Sequence, residues 1–245
     1  RVAIVTGGVQ GIGLGVSMCL ARAGANVMLA ELVEHNIPSA VAEIERVGVK
    51  AYGVQTNVAD SDSVDLMVQT TLERFGQIDI LVNNAGLVNA KHISQQTETD
   101  YDAVLDVNLK GTFLCCTRVM KEMSKRRKGA IVNIASMAAF RYTIPHVPYA
   151  ASKAGIVALT RDLAVEVGGL GIRVNAIAPG SIESPGNSLS QIATGESDEE
   201  RSERIKAIPL GRIGQPTDIG NAVVFLASDA AGYISGATLP VTGGK

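Results

Sequence analysis

The sequence is poor in the residues that build covalent or metal-held folds. Its 245 residues include three cysteines, Cys19, Cys115 and Cys116, and three histidines, His35, His92 and His146. An odd cysteine count, with two adjacent, makes no disulfide framework. It fits a reducing, cytoplasmic setting. The histidines are scattered without metal-ligand spacing, so no metal is expected. No apolar run reaches the roughly 18 residues needed to cross a bilayer, so no membrane partner is expected. Nothing reads as a secretory leader. The chain starts at Arg1 and already reads as strand, so a short leader or the start of that strand is expected upstream. Net charge is nearly absent as well, with 22 Lys and Arg against 24 Asp and Glu. That balance excludes the basic footprint of a nucleic-acid binder.

What is present is apolar residue in quantity, 46% of the chain, enough for a substantial core. It comes as short β-branched runs alternating with helical patterns. Strands are expected at 2–5, 27–30, 51–55, 78–82, 130–135, 172–178 and 237–241. Helices are expected at about 11–23, 35–47, 61–75, 99–125, from Tyr149 onward, and 216–227. Alternation throughout, with no linker and no repeat, indicates one α/β domain over 1–245, a doubly wound parallel sheet with helices on both faces.

The first strand runs into TGGVQGIG, Thr6 to Gly13. Strand, glycine turn and helix start together place a phosphate on a helix N-terminus. Gly7 allows the tight turn, Gly11 lets the backbone approach a pyrophosphate, and Gly13 lets the helix pack closely. Gln10 and Ile12 belong to the same turn. Glu31 ends the second strand, eighteen residues after Gly13. A carboxylate there accepts hydrogen bonds from ribose hydroxyls and repels a 2′-phosphate. Leu32 follows, where an NADP-binding chain would offer an arginine. NAD is therefore expected as cofactor over NADP.

Further along, Asn57 and Val58 follow the third strand, and NNAG (Asn83, Asn84, Ala85, Gly86) ends the fourth. These positions lie where ligands bind in open α/β sheets. Asn108 interrupts the apolar face of the long helix, where it is expected to bend the helix or hold a water. The basic run Lys125–Lys128 is expected from the helix dipole alone. Ser136 ends the fifth strand, and Pro179 and Gly180 stop the sixth. From Ser181 to about Arg204 the composition turns to Ser, Gly, Asn and acidic residues, which predicts a long loop acting as a lid.

Tyr149 and Lys153 stand four residues apart in YAASK. On a helix they share a face. An ammonium one turn away is expected to lower the phenol pKa, suiting Tyr149 to acid/base work.

In order, TGGVQGIG, NNAG, VNLKGTF at Val107, Ser136 in IASMAA, YAASK and APGSIES at Ala178 resemble the short-chain dehydrogenase/reductase family over the whole chain. The tail from Pro209 does so too. The resemblance implies a seven-stranded sheet and often a homotetramer paired through the helices that hold Asn108 and Tyr149. It implies that Tyr149 exchanges a proton with the substrate oxygen. Lys153 lowers its pKa and bonds the nicotinamide ribose, Ser136 bonds the substrate oxygen, and Asn108 holds a relay water. Ile182 and Ser184, the latter where the family often has threonine, are implied beside the nicotinamide. Asn57 stands where the family often has aspartate, and Glu31 replaces a more usual aspartate.

The substrate pocket is expected to include Ser136, Met137, Ala138, Phe140, His146, Val147, Tyr149, Leu87, Val88, Asn89, Ile182, Leu189 and Ile192. Most are apolar, so the expected reaction is NAD-dependent dehydrogenation of a small secondary alcohol, largely apolar or cyclic (terpenoid, for example). The alternatives are a 3-oxoacyl-thioester reductase and a glucose or polyol dehydrogenase. Outside enzymology, the alternative is a dinucleotide-binding regulatory protein.

Overall fold

A computed structural model of the protein describes residues 1–183 and 197–245. The strands are β1 (Val2–Thr6), β2 (Asn26–Glu31), β3 (Ala51–Gln55), β4 (Ile80–Asn83), β5 (Gly129–Ile134), β6 (Ile172–Pro179) and β7 (Thr238–Val241). Among the described residues they form one seven-stranded sheet in the order β3-β2-β1-β4-β5-β6-β7. Every pairing is parallel. The helices are α1 (Gly11–Arg22), α2 (Ile37–Glu45), α3 (Ser61–Phe75), α4 (Glu98–Leu105), α5 (Gly111–Arg126), α6 (Val147–Gly168), α7 (Asp198–Lys206) and α8 (Pro216–Ala227). None of them is long and apolar enough to cross a membrane.

Strand alternation divides the core. Ala3 and Val5 point into one apolar layer with Leu20, Ile44, Val223 and Leu226 from α1, α2 and α8. Ile4 points the other way, into a layer with Met67, Val119 and Val167 from α3, α5 and α6. Period-2 side-chain geometry makes each central strand apolar on both faces. The ends follow local rules. Asp60 caps α3 by accepting from the N–H groups of Asp62 and Ser63, and Gly76, at φ 77°, closes it. The strand order reverses between β1 and β4, so the crevice above their C-terminal ends is the natural ligand position.

Two expectations need correction. The helix expected at 99–125 is α4 and α5 joined by a π turn, Asp106–Lys110. Asn108 sits in that turn, and π turns recur at functional sites. The long loop expected from Ser181 to Arg204 is helix from Asp198, where Ser197 and Glu200 form a capping box. That helix start was legible as serine followed three residues on by glutamate. Residues 184–196 fall outside the described residues, and with them Ser184, Leu189 and Ile192.

Candidate active site

A cleft of about 480 Å³ opens at the C-terminal ends of the strands. Gly7, Gln10, Gly11, Ile12, Gly13, Glu31, Leu32, Asn57, Val58, Asn84, Ala85, Gly86, Pro179, Gly180 and Ile182 line it, with Ser136, Tyr149 and Lys153 on the same wall. The residues expected around a dinucleotide and those expected to do chemistry therefore share one space. Sequence reasoning missed Ala30, Thr56, Val107, Ile134 and Ala135, which also line it. Most of these offer only main chain or a small side chain, which leaves no pattern to read.

The glycine turn is a backbone cradle. Gly7 and Gly11 have φ of 61° and 52°, a region that disfavours other residues. A Cβ on Gly13 would lie 1.9 Å from the Gly7 carbonyl oxygen. Gln10 places no side-chain cap over α1, and the first turn holds no acidic residue. The N-terminus of α1 thus presents uncapped N–H groups to the cleft, the donor set a pyrophosphate requires. Thr6, also missed, stitches the cradle together. Its hydroxyl accepts from the N–H groups of Asn84 and Ala85, both at 3.0 Å. The Asn84 amide returns two bonds, to the Thr6 and Gly7 carbonyls. These residues fit a nicotinamide dinucleotide. Glu31 is buried at the end of β2. Its Oε1 accepts from the N–H groups of Leu32 at 2.9 Å and Val33 at 3.4 Å. Asn57 accepts from the Ala59 N–H through Oδ1 and keeps one lone pair.

The chemical wall is built by β5 and α6. Ser136 follows β5, and its hydroxyl accepts from the Ala138 N–H at 3.1 Å. Lys153 is 4% exposed. Its Nζ donates to the Ile134 carbonyl at 2.7 Å. Burial pushes its pKa down to about 8. Tyr149 corrects an expectation. Burial raises its phenol above the ordinary value, and a hydrogen bond with Ser136 pulls the other way. The Lys153 ammonium does not outweigh burial, because Nζ donates to the Ile134 carbonyl rather than to the phenol and lies 5.6 Å from the ring centroid.

Asn108 is fully buried and does not line the cleft. Its Oδ1 accepts from the Leu87 N–H at 2.7 Å, and Nδ2 donates to the Leu87 carbonyl and the Ser152 hydroxyl. Ser152 in turn donates to the Tyr149 carbonyl at 2.7 Å. The side chain braces the loop after β4 against α6, and both its N–H groups are used. Met137 and Ala138 sit on a short turn beyond Ser136, outside the cleft lining. His146 precedes α6 with its ring 6.3 Å from that of Tyr149, and its Nδ1 is buried without a partner. Among the described residues no group of His, Cys, Asp or Glu is arranged to hold a metal.

Known proteins show the family. The family model described as "Enoyl-(Acyl carrier protein) reductase" matches residues 7–245. The 3-oxoacyl-[acyl-carrier-protein] reductase of Staphylococcus aureus is 40% identical over 99% of this chain and 96% of its own. That of Thermotoga maritima is 36% identical over 100% of this chain and 97% of its own. Among solved structures, levodione reductase superposes with a TM-score of 0.94 at 35% identity, covering 100% of this chain and 96% of that one. An NAD+-bound xylitol dehydrogenase gives 0.93 at 30% identity, covering 100% and 98%. The relatives are oxidoreductases, and their names favour the acyl-thioester alternative over the apolar cyclic alcohol. With a glycine turn at a helix N-terminus and Ser136, Tyr149 and Lys153 lining one cleft, and with these relatives, the chain is an oxidoreductase that belongs to the short-chain dehydrogenase/reductase family.

Proposed function

We propose that this chain interconverts a ketone and its secondary alcohol with NAD(H). The observation that carries the proposal is the shared cleft, with Ser136, Tyr149 and Lys153 facing the glycine turn across it. The dinucleotide, when bound, supplies or accepts the hydride. Tyr149 donates its phenolic proton to the carbonyl oxygen in reduction and takes it back in oxidation. A phenol raised by burial is protonated near neutrality, the form that reduction needs. Ser136 steadies the charge developing on that oxygen. Lys153, with its pKa pushed down to about 8, still carries its proton near neutrality, close to the phenol. A relay water at Asn108 meets acceptors only, since both amide N–H groups are committed.

Glu31 supports NAD over NADP. With Oε1 held by two main-chain N–H groups, Oε2 would be the oxygen to accept from a ribose hydroxyl, and the charge would oppose a 2′-phosphate. Exposed Leu32 beside it brings no cation.

For the substrate, the curated relatives make a 3-oxoacyl thioester the first candidate. A specific observation favours the apolar cyclic ketone or alcohol as second reading. Three cations around the cleft are paired with acids: Lys91 with Asp100, Arg212 with Asp218, and Arg201 on α7 with Glu183. The run Lys125–Lys128 lies at the far end of β5, roughly 20 Å away at strand rise. Among the described residues these pairs leave fewer cations for an acidic carrier protein, exposed Arg141 beyond the Ser136 turn being the exception. Likeness to levodione reductase points the same way. A polyol, as in xylitol dehydrogenase, is third. The protein acts in the cytoplasm, as a homotetramer paired through the faces of α5 and α6 that expose Phe113, Val147 and Val165.

The test is a nicotinamide-absorbance assay with NADH and NADPH against 3-oxoacyl thioesters, cyclic diketones and ketoses. The expected result is NADH-driven reduction of the 3-oxo group of a 3-oxoacyl thioester to the 3-hydroxyacyl thioester. Turnover of cyclic ketones alone promotes the second reading. Binding of NADH with no turnover of any carbonyl leaves only a dinucleotide-binding regulatory protein.

A further inference from the structure

We propose that Asp100 is a positioning residue that fixes one wall of the substrate cleft. The inference rests on the reading of the cleft above. Leu87 and Val88 reach the cleft from the loop after β4. That loop has no regular structure between Gly86 and His92, so contacts outside it must hold its shape. Asn108 grips it at Leu87. The second grip is Asp100 on α4.

A plainer role is available for Asp100, as the third residue of a capping box with Thr97. The box is present, but it uses one oxygen. Oδ2 accepts from the Thr97 N–H at 3.1 Å and hydroxyl at 2.8 Å. Oδ1 serves the loop instead, accepting from Asn89 Nδ2 at 2.8 Å and Lys91 Nζ at 2.7 Å. Lys91 Nζ also reaches Oδ2 at 2.8 Å. The Lys91 carbonyl in turn accepts from Gln96. These bonds hold the carboxyl of Asp100 well below the usual carboxylate range. One carboxylate therefore ties the helix start to two loop residues, one position and three positions past Val88. Asp100 touches no reacting atom; it acts through Leu87 and Val88.

Three single variants test this: Asp100→Asn, which keeps an oxygen for the cap, Lys91→Met and Asn89→Ala. The substrate used is whichever carbonyl the parent turns over best. Each variant should raise substrate KM by roughly three- to tenfold. NADH affinity and kcat at saturation should stay within about twofold. Combining Lys91→Met with Asp100→Asn should cost no more than Asp100→Asn alone, since both remove one contact. Unchanged KM in all three singles overturns the proposal. So does equal loss of NADH affinity and melting temperature with no separate KM effect, because that is a general structural role. Should the parent reduce no carbonyl, the proposed function fails instead. The loop is then read by trypsin, where cleavage after Lys91 should quicken in Asp100→Asn over the parent, and an equal rate overturns the positioning role.

Discussion

The two ends of the sheet carry concavities of almost the same size, about 480 Å³ at the C-terminal ends of the strands and about 470 Å³ at the N-terminal ends. They differ in how their charges are settled. At the lower end Arg1 pairs with Asp229, and Arg126 with Asp79. Asp79 also accepts from the Val2 N–H and from Gln77. Arg173 donates to the carbonyls of Leu226, Ile234 and Ser228. At the upper end Lys153 is buried with no carboxylate among its hydrogen bonds, only one carbonyl. Tyr149 stands half-buried beside it, and the N-terminus of α1 is uncapped. Volume does not mark the site. It is marked by polar groups that folding leaves short of partners, at a cost in stability that binding and chemistry repay.

That contrast can be broken from above. Tyr149→Phe removes the proton donor and should lower kcat at least about a thousandfold, within the range for general acid–base groups. NADH affinity, by fluorescence titration, should move little. Parent-like turnover refutes the role of Tyr149.

Next in size is the stability cost of Lys153. Below pH 8 the folded and unfolded chains both hold the proton, and the burial cost is fully present. Between about 8 and the ordinary 10.5 the unfolded chain binds more protons, so stability rises with pH. The shift corresponds to about 3 kcal/mol. The buried thiols of Cys115 and Cys116 are raised and act in the opposite sense. The clean quantity is therefore the difference between the parent and Lys153→Met, both with the thiols intact. In urea unfolding without dinucleotide, the variant should lead at pH 7.5 and lose its lead by pH 10. A constant lead would mean that the amine is not buried.

Glu31→Ala should raise NADP use relative to NAD about tenfold, near 1.4 kcal/mol. An unchanged ratio of kcat/KM for the two cofactors sinks its role. Smallest is Arg126→Met at the lower end. Asp79 keeps its other partners, and Arg126 is partly exposed, so the loss is about 1 kcal/mol. Turnover should stay within twofold, and a larger fall would link the lower end to the chemistry.

The same contrast explains what the sequence could tell. Strand and helix periods carried the topology. Ser61–Phe75 and Pro216–Ala227 were legible because a cap and a proline punctuate them. The cradle was legible because only glycine fits Gly7 and Gly13. Bonds formed in three dimensions were not legible. Asn108 reads as a flaw in a helix, and the π turn and its grip on Leu87 appear only once α4, α5 and α6 meet. The Tyr149 pKa was misjudged because spacing gives the nearness of Lys153 but not the turn of Nζ toward Ile134. Asn83 and Asn133 likewise join across β4 and β5 at 2.8 Å, with Asn133 donating to Thr160 on α6. No single-strand pattern announces that pair.

The most direct test is amide hydrogen exchange with and without NADH. Slowed exchange at 7–13, 31–33 and 84–88, with 227–235 unchanged, is the predicted result. Protection at the lower segment instead, or none at the glycine turn, would contradict the placement of the site.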